Sequence, residues 1–86
     1  MPDLKAQFDA AAAAVQTLAK RPDNEAMLQV YSLYKQATAG NASGKRPGFT
    51  DPVGRAKFDA WSKLQGMSQD QAMQSYIDLA TKLQKA

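Results

Sequence analysis

Two residue types that carry much of enzyme chemistry are missing from this 86-residue chain, which contains no cysteine and no histidine. Without cysteine there is no disulfide framework, thiolate metal site or thiol nucleophile, so stability must come from packing alone. Without histidine, the usual general base and the commonest metal ligand are also absent. Most hydrolase and zinc-enzyme schemes are thereby excluded, and no metal site is expected.

Long hydrophobic runs and blocks of like charge are absent as well. No stretch of about 18 apolar residues exists to span a membrane, and the first residues, Met-Pro-Asp-Leu-Lys, lack the features of a secretory signal. The net charge is +3, from 11 basic and 8 acidic residues that are scattered along the chain. That excess is too modest to indicate nucleic-acid binding. We expect a soluble, cytoplasmic protein without stable membrane insertion.

What is present is typical of a small globular domain. Hydrophobic residues make up 44% of the chain and charged residues 22%, close to the averages for soluble proteins. The length predicts one domain over residues 1–86, with a core that is thin for a single domain.

Apolar residues recur at spacings of three or four in four stretches, which predicts four helices. The first is expected to be capped by Asp3 and to continue to Ala19, where the Lys-Arg-Pro sequence at 20–22 ends it with cations and a helix breaker. The second should begin after Asp23 and end at the Gly-Asn pair at 40–41, where both residues tolerate a positive φ.

The second half of the chain predicts a long loop and two more helices. Residues 40–50 are rich in turn formers and lack periodicity. An Asp-Pro pair at 51–52 provides a cap and a first-turn proline for a third helix, expected to run to Gln65 and to end at Gly66. The Ser-Gln-Asp-Gln sequence at 68–71 is a capping box for the fourth helix. With no strand-period segment, the direct interpretation is an all-α four-helix bundle.

The aromatic residues are the first candidates for a binding site. At helical spacing an aromatic residue usually belongs to the core, and we adopt that interpretation for Phe8, Tyr34 and Trp61. For Tyr31 and Tyr76 both core and binding-site roles stay open, because a buried phenol needs a hydrogen-bond partner.

Lysines are the second group of candidates, although most lysines lie on solvated faces. Lys35 follows Tyr31 by one helical turn, so the ring and the ammonium group project from one side and can hold a stacked base and its phosphate. Lys57 is a weaker candidate, because spacing cannot show that the third helix brings it near. Asp59 has no identifiable partner, and neither a P-loop nor a two-carboxylate hydrolase site is supported.

The order and spacing of several motifs closely resemble the acyl-CoA-binding protein family. The motifs run from Phe8 through Tyr76 and include Tyr-Ser-Leu-Tyr-Lys-Gln-Ala-Thr from residue 31, Arg-Pro-Gly at 46–48 and Gly-Arg-Ala-Lys-Phe-Asp-Ala-Trp at 54–61. The resemblance implies a four-helix bundle arranged up-down-down-up, with a long loop between the second and third helices. It also implies a non-enzymatic, typically monomeric carrier and pool former for medium- to long-chain fatty acyl-CoA esters, without a cofactor.

The resemblance also assigns roles to residues. By position, Tyr31 would stack on the adenine of the ligand, Lys35 and Lys57 would hold the phosphate on its ribose, and Tyr76 would contact the CoA moiety. The other implied contacts are Ser32, Leu33 and Tyr34 in the family's ligand-contacting segment and Met27 and Leu28 along the acyl chain.

Two positions depart from the family pattern. The family often has a lysine that reaches the CoA phosphates where this chain has Gln16, so one charge-assisted contact is lost. Phe58 stands where tryptophan is common, which keeps the packing and drops an indole donor. Both changes predict somewhat weaker binding.

The residues alone leave three other classes of function open. One is a bundle whose aromatic face docks an amphipathic partner helix. Another is a basic module for nucleic acid, which the scattered charges do not favour. The third is an acyl-CoA thioesterase, for which the sequence offers no identifiable nucleophile.

Overall fold

The computed structural model describes residues 3–85, and these form four α-helices without any strand. The helices are α1 (Leu4–Gln16), α2 (Asn24–Ala39), α3 (Pro52–Ser62) and α4 (Gln69–Lys85). The predicted all-α four-helix bundle is confirmed.

All four predicted helix starts are confirmed by their capping contacts. Asp3, Asp23 and Asp51 each accept a hydrogen bond from the backbone N–H three residues later, at 2.7 to 3.0 Å. At the start of α4, the Gln71 backbone N–H donates to Ser68 Oγ at 3.0 Å, and the Ser68 N–H donates to Gln71 Oε1 at 3.1 Å. These contacts satisfy N–H groups that have no partner within the helix.

The predicted end of the first helix at Ala19 is wrong, because α1 already ends at Gln16. Thr17 follows it and closes the last turn: its backbone N–H turns back to Ala14 O, and its hydroxyl donates to the same oxygen at 3.0 Å. A β-branched residue that bonds locally in this way competes with continuation of the helix. The Lys-Arg-Pro sequence at 20–22 therefore lies beyond the helix and not in its last turn.

The third helix is also shorter than expected and ends at Ser62 instead of Gln65. The chain continues in tight turns, in which Leu64 N–H donates to Trp61 O at 3.0 Å and Gln65 N–H donates to Ser62 O at 3.2 Å. Gly66 then leaves the helical region with a φ of 93°, so it ends these turns, whereas its predicted role as the residue that terminates the helix is wrong because α3 is capped at Lys63.

The two residues predicted to end α2, Gly40 and Asn41, act in different ways. Gly40 has a φ of 83°, whereas no described non-glycine residue has a positive φ, so that part of the prediction is wrong for Asn41. Asn41 acts through its side chain, because its Oδ1 accepts from Gln36 Nε2 at 3.0 Å and from Gly66 N at 2.9 Å. Gln36, fully buried, also donates to Met67 O at 2.8 Å. These bonds join the end of α2 to the connection between α3 and α4.

The long loop is held against α3 by two further contacts. Trp61, buried as predicted, donates from Nε1 to Gly40 O at 2.8 Å. Arg46 donates from Nε and Nη2 to the two carboxylate oxygens of Asp59, at 2.8 and 2.7 Å. The partner of Asp59, which the sequence did not identify, is thus the guanidinium group of Arg46 and not a second carboxylate. The hydrogen bonds of this pair lower the pKa of Asp59 and raise the pKa of Arg46.

Helix packing is uneven and leaves an opening. Within the described residues, α1 packs closely against α4 alone, α3 packs closely against α2 alone, and α2 also packs against α4, so the backbones of α1 and α3 do not approach each other. The core, where α1, α2 and α4 meet, is made of Phe8, Ala11, Val30, Ala37, Ala72, Tyr76 and Ala80. A cleft therefore remains over α2, between α1 and α3.

Candidate functional site: the cleft over α2

The cleft contains a cavity of about 910 Å³, near the upper end of the usual range for small-molecule sites. Its lining comes from all four helices and from the connection between α1 and α2. The lining residues are Ala12, Val15, Gln16, Arg21, Asn24, Met27, Leu28, Val30, Tyr31, Tyr34, Pro52, Val53, Ala56, Lys57 and Tyr76.

Helical periodicity explains why three helices present apolar stripes to the same space. On α2 the lining residues include Met27, Val30, Tyr31 and Tyr34, which recur at three or four residues and share one face. The lining residues of α1 and α3 follow the same spacing. Val53 and Ala56 belong to the apolar stripe of α3, yet Val53 is 65% exposed and Ala56 is also exposed. Because α3 packs only on α2, part of its apolar stripe faces the cavity.

Tyr34 and Tyr76 line the cavity at its α2 and α4 side, and the buried ring of Phe8 packs against both of them. The Phe8 ring centroid lies 5.0 Å from that of Tyr76 and 5.6 Å from that of Tyr34, in edge-on and stacked geometries that favour aromatic pairs. Phe8 is buried, as predicted, but Tyr34 is 42% exposed, so its assignment to the core is wrong. One side of the Tyr34 ring packs on Phe8, and the residue also lines the cavity.

Tyr76 combines the two roles that the sequence left open. It is only 3% exposed and belongs to the core cluster, yet it also lines the cavity. Burial, with a smaller contribution from Tyr34, raises the pKa of the Tyr76 phenol. The hydroxyl therefore stays protonated at neutral pH and can donate a hydrogen bond into the cavity.

Lys57 is brought against Tyr31, which spacing alone could not show. Its Nζ lies 5.3 Å from the Tyr31 ring centroid, within the range of a cation–π contact, and both residues line the cavity. An aromatic face and a mobile ammonium group therefore meet at one edge of the cleft.

The other predicted site residues divide between the cavity and its surroundings. Gln16, Met27 and Leu28 line the cavity. Lys35 lies one turn beyond Tyr31, outside the lining, with its Nζ 4.9 Å from the Trp61 ring centroid. Lys35 therefore lies between α2 and α3, next to the edge of the cleft where Tyr31 and Lys57 meet.

Ser32 and Leu33 lie away from the cavity. Ser32 is buried and its hydroxyl donates to Gln29 O at 3.1 Å, while Leu33 packs against the core cluster. Successive residues of a helix point about 100° apart, so neighbours of Tyr31 need not share its face. Their predicted ligand contacts stay predictions.

Sequence reasoning missed Arg21 and Asn24, which line the cavity from the connection between α1 and α2 and the first turn of α2. Arg21 had been assigned to the end of the first helix, and the early end of α1 moves it into the connection. With Lys57 it gives the cavity two cationic groups, and none of the described lining residues is acidic. Such a lining suits an amphiphile with an anionic head and an apolar tail.

Two absences within residues 3–85 bear on other kinds of protein. No group of three or more Asp or Glu side chains is placed to hold a metal ion. No helix is long and apolar enough to cross a membrane.

Known proteins share both the sequence and the fold. A family model described as acyl CoA binding protein matches residues 5–80. The chain is 52% identical over 80 residues to acyl-CoA-binding domain-containing protein 4 of Rattus norvegicus, which covers 88% of this chain and 24% of that protein. It is 49% identical over 81 residues to acyl-CoA-binding domain-containing protein 5 of Xenopus tropicalis, covering 90% of this chain and 18% of the relative. The chain thus spans less than a third of these relatives.

Two crystal structures match over most of their own length as well. Acyl-CoA-binding protein 2 of Oryza sativa superposes with a TM-score of 0.92 at 37% identity, covering 96% of this chain and 92% of that chain. The corresponding protein of Moniliophthora perniciosa gives a TM-score of 0.88 at 39% identity, covering 94% and 80%. The sequence motifs, the bundle and these matches agree, and the chain belongs to the acyl-CoA-binding protein family.

Proposed function

We propose that this chain binds medium- to long-chain fatty acyl-CoA esters non-covalently in the cleft over α2, as a carrier that shields and delivers the thioester. The observation that carries the proposal is the lining of the cleft. It combines apolar stripes from three helices with two cations, three phenols and no acidic residue among the described lining residues. This is the chemistry of a ligand with a phosphorylated head and an alkyl tail.

The residues take complementary roles in this proposal. The adenine stacks on Tyr31, while the ammonium group of Lys57 binds the ribose phosphate at the same edge. Lys35 reaches that phosphate from the next turn when its long, flexible side chain leaves Trp61. Tyr76 donates to the CoA moiety.

The remaining contacts are assigned to the tail and the far end of the head group. Met27 and Leu28 line the acyl path, and Tyr34 borders it beside Tyr76. Gln16 lies at the cavity position where the family often has a lysine. For Ser32 and Leu33 an indirect contribution through the packing of α2 fits their positions better than direct contact.

The energetics permit tight binding. Burial of a methylene group is worth about 0.8 kcal/mol, so roughly 14 methylenes of a palmitoyl tail contribute on the order of 11 kcal/mol before costs. Loss of translational, rotational and chain freedom offsets several kcal/mol of this. A nanomolar complex is therefore feasible with a largely buried tail.

The proposal describes a carrier and not an enzyme. The family is one of binding proteins, no cofactor is expected, and the cleft supplies neither a nucleophile with a base nor a pair of carboxylates. We further propose that residues 1–86 act as one acyl-CoA-binding domain, monomeric and cytoplasmic, that keeps a pool of the ester.

Calorimetry with palmitoyl-CoA tests the proposal directly. We expect saturation near one ligand per chain, with CoA alone and palmitate alone each binding far more weakly. Tyr31→Ala and Lys57→Ala should each weaken binding by more than about 1 kcal/mol, because each removes a head-group contact. Lys63→Ala is the matched control: this exposed lysine lies outside the lining and its loss should leave the affinity unchanged.

Two results would reject the proposal. One is the absence of a heat signal at micromolar protein, and the other is equal affinity of the Tyr31, Lys57 and Lys63 variants. Steady release of free thiol from palmitoyl-CoA would instead indicate a thioesterase.

A further inference from the structure

The net positive charge of the chain is concentrated in one segment, residues 45–57. This segment carries Lys45, Arg46, Arg55 and Lys57 against the single acidic residue Asp51, whereas the rest of the chain has seven basic and seven acidic residues. The +3 charge therefore reflects a local surface and not an even excess. We call residues 45–57 the basic segment.

The basic segment also exposes apolar side chains. Phe49 is 89% exposed and Val53 is 65% exposed, and with Tyr34 they are the large hydrophobic residues that the described part of the chain leaves most open to solvent. Phe49 is not packed into the core; the guanidinium carbon of Arg55 lies 4.5 Å from its ring centroid. Four residues span at most about 14 Å, so Phe49 and Val53 both lie near the start of α3, Phe49 against Arg55 and Val53 at the cavity.

The four cationic side chains of the basic segment differ in whether another group of the protein already pairs with them. Arg46 is engaged by Asp59 in a two-point ion pair at 2.7 Å, so its charge is largely compensated. Lys45 is exposed. Arg55 is half-buried, with its Nε shielded from solvent, and its side chain forms no hydrogen bond within residues 3–85, although its charge helps to lower the pKa of Asp59. Lys57 stands at the cavity edge. Three cations of the segment, Lys45, Arg55 and Lys57, therefore have no ion pair within residues 3–85, and Arg55 lies against the exposed Phe49 ring.

The basic segment forms part of the rim of the cleft. Pro52 and Val53 at the start of α3 line the cavity. Since α3 packs against α2 alone within the described residues, this end of the helix faces away from the core. Whatever the segment contacts will therefore lie beside the cavity.

We propose that the basic segment docks this domain on the surface of an anionic phospholipid bilayer. Phe49 enters the headgroup region, where aromatic side chains are favoured, with Val53 beside it, while Lys45 and Arg55 lie near lipid phosphates. Each added cation near such a surface raises affinity by about fivefold. The contact is shallow and peripheral.

A bilayer fits this surface better than an acidic protein. A stable protein partner typically covers about 800 Å² on each side with shape-complementary packing. Two isolated apolar side chains among long, flexible cations provide no such shaped surface, and a fluid headgroup layer requires none. If the proposed ligand is correct, docking would place the mouth of its cavity where membrane-dissolved acyl-CoA is found.

Vesicle sedimentation with ligand-free protein tests the docking. Phosphatidylcholine vesicles with and without phosphatidylserine are compared at about 0.1 M salt. We expect partition onto the anionic vesicles to be at least about tenfold stronger and to weaken as salt is raised. Because no acyl-CoA is present, this result does not depend on the proposed function. Equal partition onto both vesicles, or onto neither, overturns the docking proposal.

Two variants locate the surface. Phe49→Ala should lower partition about fivefold to tenfold, since it removes an aromatic side chain from the headgroup region. Lys45→Glu should lower it by about tenfold or more through a change of two charge units. Lys82→Glu, the same change at an exposed site near the end of α4, should have a smaller effect. Equal losses for Lys45→Glu and Lys82→Glu would mean that only net charge matters, and would overturn the assignment.

Fluorescence provides an independent readout, because the chain has no cysteine. Phe49→Cys and Lys82→Cys can each carry one environment-sensitive label. A blue shift on anionic vesicles is expected at position 49 and not at position 82, and the reverse pattern contradicts the proposal. Unchanged palmitoyl-CoA affinity of Phe49→Ala shows that the cleft remains intact in that variant.

Discussion

Tyr76 links the stability of the bundle to the chemistry of the cleft. Its ring packs edge-on against Phe8, with 5.0 Å between the centroids, and the residue is 3% exposed while still lining the cavity. A phenylalanine could fill the same space but would place no hydrogen-bonding group there. The raised pKa of the phenol reflects this burial and gives the residue a signature in the pH dependence of stability.

The loss of folding stability at alkaline pH, here called the alkaline limb, should therefore depend on Tyr76. The unfolded chain releases the phenolic proton near pH 10, whereas the folded chain holds it to higher pH. The stabilising contribution is thus complete below about pH 10 and is lost as the pH rises toward the folded pKa. Tyr76→Phe should flatten this loss in urea unfolding measured from neutral pH to about pH 11.

Tyr31→Phe is the control, since it removes a phenol from a half-buried ring outside the core cluster. An alkaline limb that is the same in wild type and Tyr76→Phe would show that burial of this hydroxyl does not control the pH dependence.

Individual site residues were predictable where a local rule or a family motif places them, and unpredictable where tertiary packing decides. The i, i+4 relation of Tyr31 and Lys35 follows from helix geometry. The contact of Lys57 with Tyr31 requires α3 to pack on α2, which no spacing reveals. Arg21 was missed because its place at the cavity depends on where α1 ends.

At the scale of the helices, starts were predicted better than ends. Each helix start is marked by a side chain that accepts a hydrogen bond from the backbone N–H three residues later. The two partners are therefore close in the sequence, and the contact can be predicted from it. At the ends of α1 and α3, continuation of the helix competes with local hydrogen-bonded turns. Thr17 closes α1 early, and the tight turns after Ser62 shorten α3. The loop before α3 was recognisable, but its tether from Arg46 to Asp59 joins residues 13 apart.

The start of α3 has a glycine requirement that can be tested. Gly54 lies against the capping carboxylate of Asp51, and a Cβ at this position would collide with it. Gly54→Ala should therefore displace the cap, which is worth about 0.5 to 2 kcal/mol, while removal of glycine from the helix returns about 0.5 to 1 kcal/mol. A net loss of about 0.5 kcal/mol, and at most about 1.5 kcal/mol, is expected in urea unfolding.

Two controls isolate the cause of that loss. Gly48→Ala changes the same residue type in the preceding loop, where an added Cβ meets nothing within 4 Å, and should leave stability unchanged or slightly higher. In an Asp51→Ala background the collision is gone, so Gly54→Ala should no longer destabilise. A loss of the same size in both backgrounds would exclude the capping clash as its cause.

For the whole molecule, the important feature is that α3 packs closely against α2 alone and contributes no residue to the described core cluster, whereas α1, which packs closely only against α4, contributes Phe8 and Ala11. The other three helices share the buried core around Phe8 and Tyr76, whereas α3 depends on α2, Trp61 and the loop contacts. An element with few partners opens locally at a lower free energy than the core. The opening between α1 and α3 thus gives the cleft its volume and leaves α3 the less stabilised side of it.

Ligand binding should therefore protect the helices unequally. A bound acyl-CoA would contact α1, α2 and α3 together. It would thereby connect α1 and α3, which do not approach each other closely within residues 3–85. At about 100 times its dissociation constant the ligand adds about 2.7 kcal/mol to global stability. Hydrogen exchange should show the largest added protection in α3, beyond that of α4, which already packs against both α1 and α2 without ligand. CoA without a tail should protect the Tyr31 and Lys57 edge and leave the rest of α3 less changed. Equal gains in α3 and α4 would contradict a ligand that bridges the cleft.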